Sequence, residues 1–154
     1  MIAITGAGEY LDIIRPYDEI LLNKLKDDPY VLCFPTAAGL ESEERIQYWL
    51  DLGEEHFTKL NVNHKSIRAL NIDDYNKPET LAEIEKANFI YFSGGNPNHL
   101  YDTLSSSLAW EKLLSIHNNG GILAGCSAGA MIMGEKMNKG IGFGFFKNSM
   151  VLPH

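Results

Sequence analysis

The sequence predicts an α/β domain in which βαβ units surround a mostly parallel sheet with helices on both faces. Two observations predict it. Short apolar runs alternate with longer amphipathic stretches along the whole chain, the pattern of repeated βαβ units. Most of those runs are continuously apolar rather than alternating, as strands covered on both faces must be. A length of 154 residues suits one domain of this kind.

Taken in order, residues 2–5 read as the first strand and 16–27 as the first helix, with Pro16 in a first turn that tolerates a missing N–H. A second strand over 30–35 leads to a helix over 41–60. There Ser42-Glu43-Glu44 puts negative charge at the positive end of the helix dipole. Residues 66–72 read as the third strand and 78–87, opened by Pro78, as the next helix. The fourth strand, 88–93, precedes helices over 97–104, opened by Pro97, and 107–118. Asn118-Asn119-Gly120-Gly121 is a strong stop, because these residues accept left-handed backbone angles. The fifth strand covers 121–126 and a helix 128–137. A last strand is placed at 149–153, within a Gly- and Phe-rich stretch over 140–154. No repeat or linker interrupts the series.

Composition narrows the function. Twenty acidic against 13 basic residues give a net charge of −7, which disfavours nucleic acid as a partner. No apolar run approaches the ~20 residues a membrane span needs, and the N-terminus lacks the features of a secretory signal. Cys33 and Cys126 have neither metal-ligand spacing nor disulfide-scaffold density. The expectation is a soluble cytoplasmic protein.

The strongest chemical signal is Gly125-Cys126-Ser127-Ala128-Gly129-Ala130, a Gly-x-Ser-x-Gly sequence between an apolar strand and a helix. A sharp turn there lifts the Ser127 hydroxyl above the sheet edge, and the helix N-terminus aims its N–H groups at a developing oxyanion. A tight turn of small residues made for packing alone has the same pattern. Cys126 lies one residue before the apex, which assigns its side chain to the core. Tyr91-Phe92-Ser93-Gly94-Gly95-Asn96 ends another apolar strand, so its glycine loop should share a rim with Ser127. Of the five histidines, His56 and His117 read as solvated helix residues and His64 as a loop residue. His99 falls in the first turn after the glycine loop, close enough to face the rim, but a role away from the ligand is the favoured reading. His154 closes the apolar run 150–153. If that run is a strand parallel to 121–126, His154 reaches the rim of Ser127, and 27 residues suffice for the crossover. Thr5-Gly6-Ala7-Gly8-Glu9 reads as a tight βα turn, since the third glycine of a dinucleotide fingerprint is replaced by Leu11.

Together, Ile-Thr-Gly-Ala-Gly-Glu at 4–9, Phe-Pro-Thr-Ala-Ala at 34–38, Tyr-Phe-Ser-Gly-Gly-Asn at 91–96, Gly-Cys-Ser-Ala-Gly-Ala at 125–130 and Leu-Pro-His at 152–154 carry a family likeness. The chain resembles the dipeptidase E/cyanophycinase family of serine peptidases over essentially its whole length. The resemblance implies a doubly wound α/β fold similar to class I glutamine amidotransferases. It also implies an aspartyl-dipeptidase type of activity on short peptides by an acyl-enzyme mechanism, with no metal or organic cofactor. By position it gives Ser127 as nucleophile, His154 as its base, and the Gly95 and Ala128 amides as the oxyanion hole. Family chains run some tens of residues past this histidine, so the expectation is a domain lacking its C-terminal part. No Asp lies between Ser127 and His154, and Glu135, two helical turns past the nucleophile, is not assigned as a triad acid. Weak hydrolysis is therefore expected of this 154-residue form. A homodimer covering apolar surface on Phe143, Phe145 and Phe146 is a further expectation. The rival reading is a non-catalytic relative that binds a small ligand. An ordinary α/β-hydrolase fits poorly, since no room remains for its Asp-then-His order.

Overall fold

Five strands, β1 (Ile2–Thr5), β2 (Tyr30–Phe34), β3 (Asn63–Ser66), β4 (Phe89–Phe92) and β5 (Ile122–Cys126), form the central sheet. Their order is β1-β5-β4-β2-β3 and every pair is parallel. The computed structural model describes residues 1–152; Pro153 and His154 lie outside the described residues.

Alternate residues of each strand point to opposite faces, and each face has its own core. Val31, Cys33, Phe89, Tyr91, Ile122 and Ala124 meet α1 (Arg15–Leu22) and α2 (Glu43–Lys59) through Leu22, Ile46, Trp49 and Phe57. Leu32, Phe34, Ile90, Phe92 and Leu123 meet the helices of the other face. These are α3 (Ile72–Asn76), α4 (Pro78–Lys86), α5 (Pro97–Ser105) and α6 (Ala109–Asn118), reached through Tyr75, Ile84, Leu100 and Leu113. The sheet is thus wound on both faces, as the continuous apolar runs require. Phe34, Phe89 and Phe92 are essentially inaccessible, and burying each such side chain stabilises by roughly 1.5–3 kcal/mol. Ser42, Asn71 and Asn96 cap α2, α3 and α5, their side chains accepting the N–H of Arg45, Asp74 and His99. No helix among the described residues is long and apolar enough to cross a membrane.

Three expectations need correction. The third strand lies at Asn63–Ser66, ahead of the apolar run predicted for it. It is an edge strand with a polar, half-exposed pattern, and such a strand carries little apolar signal. The run over 67–70 instead leads into α3, which Asn71 caps. The helix predicted over 128–137 is a single turn, α7 (Ala128–Met131), followed by strand β6 (Gly134–Met137). Met131, Ile132 and Met133 gave an apolar run too short for its period to separate helix from strand. The last strand, β8 (Phe146–Met150), does not join the central sheet. It pairs parallel with β6, whose other edge takes β7 (Gly140–Ile141) antiparallel, in a second sheet ordered β7-β6-β8. Phe143, Phe145 and Phe146 are half-buried against the core. Phe143 stacks on Trp110 at 3.6 Å between ring centroids.

Candidate active site

In a parallel sheet every strand delivers its next loop to the same edge, so the loops after β1, β2, β4 and β5 share one rim. At the end of β5 the chain turns through Ser127, with φ +49° and ψ −109°, and enters α7 at Ala128. These angles lie near the first central position of a type II′ turn, where glycine dominates. A serine there is strained. The turn is held on one side by the Ser127 N–H, which donates to the Thr5 carbonyl at 3.2 Å. On the other side Gly129 packs so closely on β4 that a Cβ there would stand 2.2 Å from the Phe92 carbonyl oxygen.

The loop after β4 is fixed as firmly. The Ser93 N–H donates to the Phe34 carbonyl at 3.3 Å and the Asn96 N–H to the Ala37 carbonyl at 2.7 Å. Between them Gly95 has φ +142°, and a Cβ on it would lie 2.3 Å from the Ala37 carbonyl oxygen. Only glycine fits that position. Gly94 lies directly beside the elbow: a Cβ on it would stand 3.4 Å from the Ser127 Cβ and 3.8 Å from its Oγ. Gly95 is exposed and Ser127 half-buried. Ala128 is the first residue of α7, so its N–H has no carbonyl partner within the helix. The fold therefore gathers Gly95, Ser127 and Ala128 on one rim. On the Gly95 side of this rim a cleft of about 560 Å³ is lined by Leu40, Glu41, Gly95, Asn98, Met131 and Lys139 among others, with Ser127 and Ala128 outside its lining. A second cleft, about 430 Å³, follows the outer edge of β1 past Ile4, Ile13 and Tyr17 and does not include Ser127.

Cys126 is fully buried and its thiol donates to Glu9 Oε2 at 2.8 Å. Burial, then the hydrogen bond and charge of Glu9, push this thiol up to about 12. It stays protonated, as a core residue should, and is no rival nucleophile. Glu9 itself is a buried carboxylate at this site, whereas the sequence read its turn only as a tight connection. The available signal was an acid among Thr, Gly and Ala at a strand's C-terminal end.

The histidines divide differently from expectation. His99 does not face the rim: its Nε2 donates to the Leu70 carbonyl at 2.8 Å. His56 is not solvated but 2% exposed, with Nε2 2.8 Å from Asp18 Oδ2. A partner from α1 allowed a polar residue of α2 to turn inward. His64 lies on β3 rather than in a loop, its ring bonded to the Val62 carbonyl and Thr58. His117 reaches the N-terminal amine of Met1. His154 lies outside the described residues. Glu135 lies on β6 and accepts the Asn148 N–H at 2.6 Å, so it is occupied within the second sheet. Among the described residues no group of three or more His, Cys, Asp or Glu side chains is placed to hold a metal ion.

The chain matches none of the curated proteins in sequence. Its fold is similar to that of a peptidase from an acI-B1 Actinobacterium, with 35% identity and a TM-score of 0.93 over 99% of this chain and 67% of the other. It is also similar in fold to a candidate peptidase E protein from Listeria monocytogenes EGD-e. There the identity is 20% and the TM-score 0.60, over 86% of this chain and 60% of the other. The second likeness speaks to the fold alone. The model of peptidase family S51 matches residues 1–141. With that match, a fold held in common and the Gly-x-Ser-x-Gly elbow intact, the chain belongs to peptidase family S51.

Proposed function

We propose that this chain is a serine exopeptidase of the aspartyl-dipeptidase type, cleaving short peptides through an acyl-enzyme. Ser127 Oγ attacks the scissile carbonyl, and His154 takes its proton and returns it to the leaving amine. The Gly95 and Ala128 amides stabilise the oxyanion, and water then releases the acyl group. The observation that carries this reading is the strained backbone of Ser127, held at φ +49° with Gly94 against it. Strain of about 1–3 kcal/mol persists only where the surroundings impose it, and such residues cluster at reactive sites. The half-buried hydroxyl and the protonated, buried Cys126 leave serine as the group able to react. The cleft that Gly95 lines, though Ser127 is not in its lining, is within the size range of small-ligand sites.

The test is labelling with a fluorophosphonate, followed by mapping of the modified residue and assay of Asp-Xaa against Ala-Xaa dipeptides. Modification of Ser127, abolished by Ser127→Ala, with faster release from Asp-Xaa substrates, is the expected result. Labelling with no preference for Asp would keep the serine peptidase and remove its substrate class. Absence of labelling would favour a relative that binds without catalysis.

A further inference from the structure

Glu9 stands out among the buried polar groups because its two oxygens bond to two different segments of the rim, the loop after β4 and the end of β5. Oε1 accepts the Gly94 N–H at 3.0 Å and Oε2 accepts the Cys126 thiol at 2.8 Å. The side chain is 7% exposed. Its own backbone is firmly set. Gly8 has φ +88° and Tyr10 φ +61°, and the buried Tyr10 ring packs 4.8 Å from that of Tyr91. Other rim contacts join loops of adjacent strands: Ser127 to Thr5 across β5 and β1, and Asn96 to Ala37 across β4 and β2. Glu9 reaches further. From the loop after β1 it passes the end of β5 and seizes the loop after β4.

We propose that Glu9 is a positioning residue for catalysis, which locks the Gly94-Gly95 loop to the Ser127 elbow so that the Gly95 amide faces the reacting carbonyl. This rests on the reading of Ser127 as nucleophile and Gly95 as oxyanion donor. Holding the Gly94 N–H inward fixes the Ser93–Gly94 peptide, and the Asn96 N–H bond to Ala37 fixes the Gly95–Asn96 peptide on the other side. The neighbouring amide is then committed to the rim before substrate arrives. An oxyanion donor is effective only when preorganised. The same carboxylate, by accepting from Cys126, fixes the residue that precedes the nucleophile. One side chain thus sets the spacing between nucleophile and donor.

The experiment compares fluorophosphonate labelling of Glu9→Ala, Glu9→Asp and Glu9→Gln with the unaltered protein, separating probe binding from the rate of bond formation. Misplacing a group by about 1 Å costs about a hundredfold in rate. Glu9→Ala and Glu9→Asp should therefore lose about that factor in the bond-forming rate, with probe binding unchanged. Glu9→Gln keeps an oxygen at the same reach for the Gly94 N–H and should recover to within about tenfold. Variants that melt lower yet label at the unaltered rate would make Glu9 a stabilising residue only and overturn the proposal. Should the Ala and Asp variants not fold, hydrogen exchange on the unaltered protein decides. A protected Gly94 amide, beside a Gly95 amide that gains protection only after labelling, supports the lock; a Gly94 amide exchanging as fast as Gly95's overturns it. Persistent labelling of Ser127→Ala would instead remove the underlying reading of Ser127, and is told apart by that control.

Discussion

Replacing Ser127 by glycine should make the protein more stable while leaving it inactive. The residue sits at φ +49° and ψ −109°, where a Cβ costs about 1–3 kcal/mol and glycine costs nothing. Glycine gives back about 0.5–1 kcal/mol through the greater freedom of the unfolded chain. The net gain is about 0.5–2 kcal/mol. In a domain of this size each kcal/mol moves the melting midpoint by about 2–4 °C, so Ser127→Gly should melt about 1–8 °C above Ser127→Ala. Alanine is the proper reference, because it removes the hydroxyl and keeps the strained Cβ. Scanning calorimetry of the two variants, with fluorophosphonate labelling to show both inert, makes the measurement. If Ser127→Gly melts at or below Ser127→Ala, the elbow stores no strain, and the argument that the fold forces a serine into this geometry fails.

Gly95→Ala must move its loop, since the new Cβ would lie 2.3 Å from the Ala37 carbonyl oxygen at φ +142°. A loss of about 2 kcal/mol in denaturant unfolding and about a hundredfold in labelling rate is expected. His56→Ala leaves Asp18, whose side chain is 3% exposed, buried without its partner, and should cost about 3 kcal/mol in the same unfolding assay. Both cysteines are buried and burial pushes both thiols up, so iodoacetamide at pH 8 should modify neither until the protein unfolds. Because Cys126 keeps its proton in the native state up to about pH 12, its contribution to stability is complete below the ordinary thiol value of 9.0. That contribution is lost as pH rises from there through about 12. Melting points between pH 8 and 11 should fall less steeply in Cys126→Ala.

The legibility of this fold in its sequence follows burial. β2, β4 and β5 are inner strands, and their runs Val31–Phe34, Phe89–Phe92 and Ile122–Cys126 are apolar because both faces are covered. Asn63–Ser66 escaped notice because an edge strand can be polar. The second sheet escaped because β6 and β8 have only partly buried patterns and their pairing is not local. The placement of Ser127 and Gly95 on one rim was legible through their spacing around strand ends, since backbone requirements leave a glycine trace. Glu9 and the buried His56 were not. A carboxylate or imidazole that turns inward does so because of a partner distant in sequence, Gly94 and Cys126 in one case and Asp18 in the other.

The strain at Ser127 and the glycines around it are one requirement rather than two. Adjacent strands stand about 4.8 Å apart, so loops that leave them at the same edge and turn toward each other meet backbone to backbone. Ala37 meets Gly95 and Phe92 meets Gly129, and in each case an added Cβ would fall within 2.3 Å of a carbonyl oxygen. Side chains at either position would spread the rim and give the elbow room to relax toward ordinary angles. With glycine there, Ser127 is gripped from β1 through the Thr5 carbonyl and from β4 through the close approach of Gly129, and has no sideways freedom to shed its strain. The energy for this comes from the two apolar cores beneath, whose large side chains together contribute far more than the turn costs. A substitution that widens the rim should therefore act twice. It should stabilise the elbow locally by letting φ of Ser127 relax, and remove reactivity by lowering the hydroxyl from the place the loop amides face.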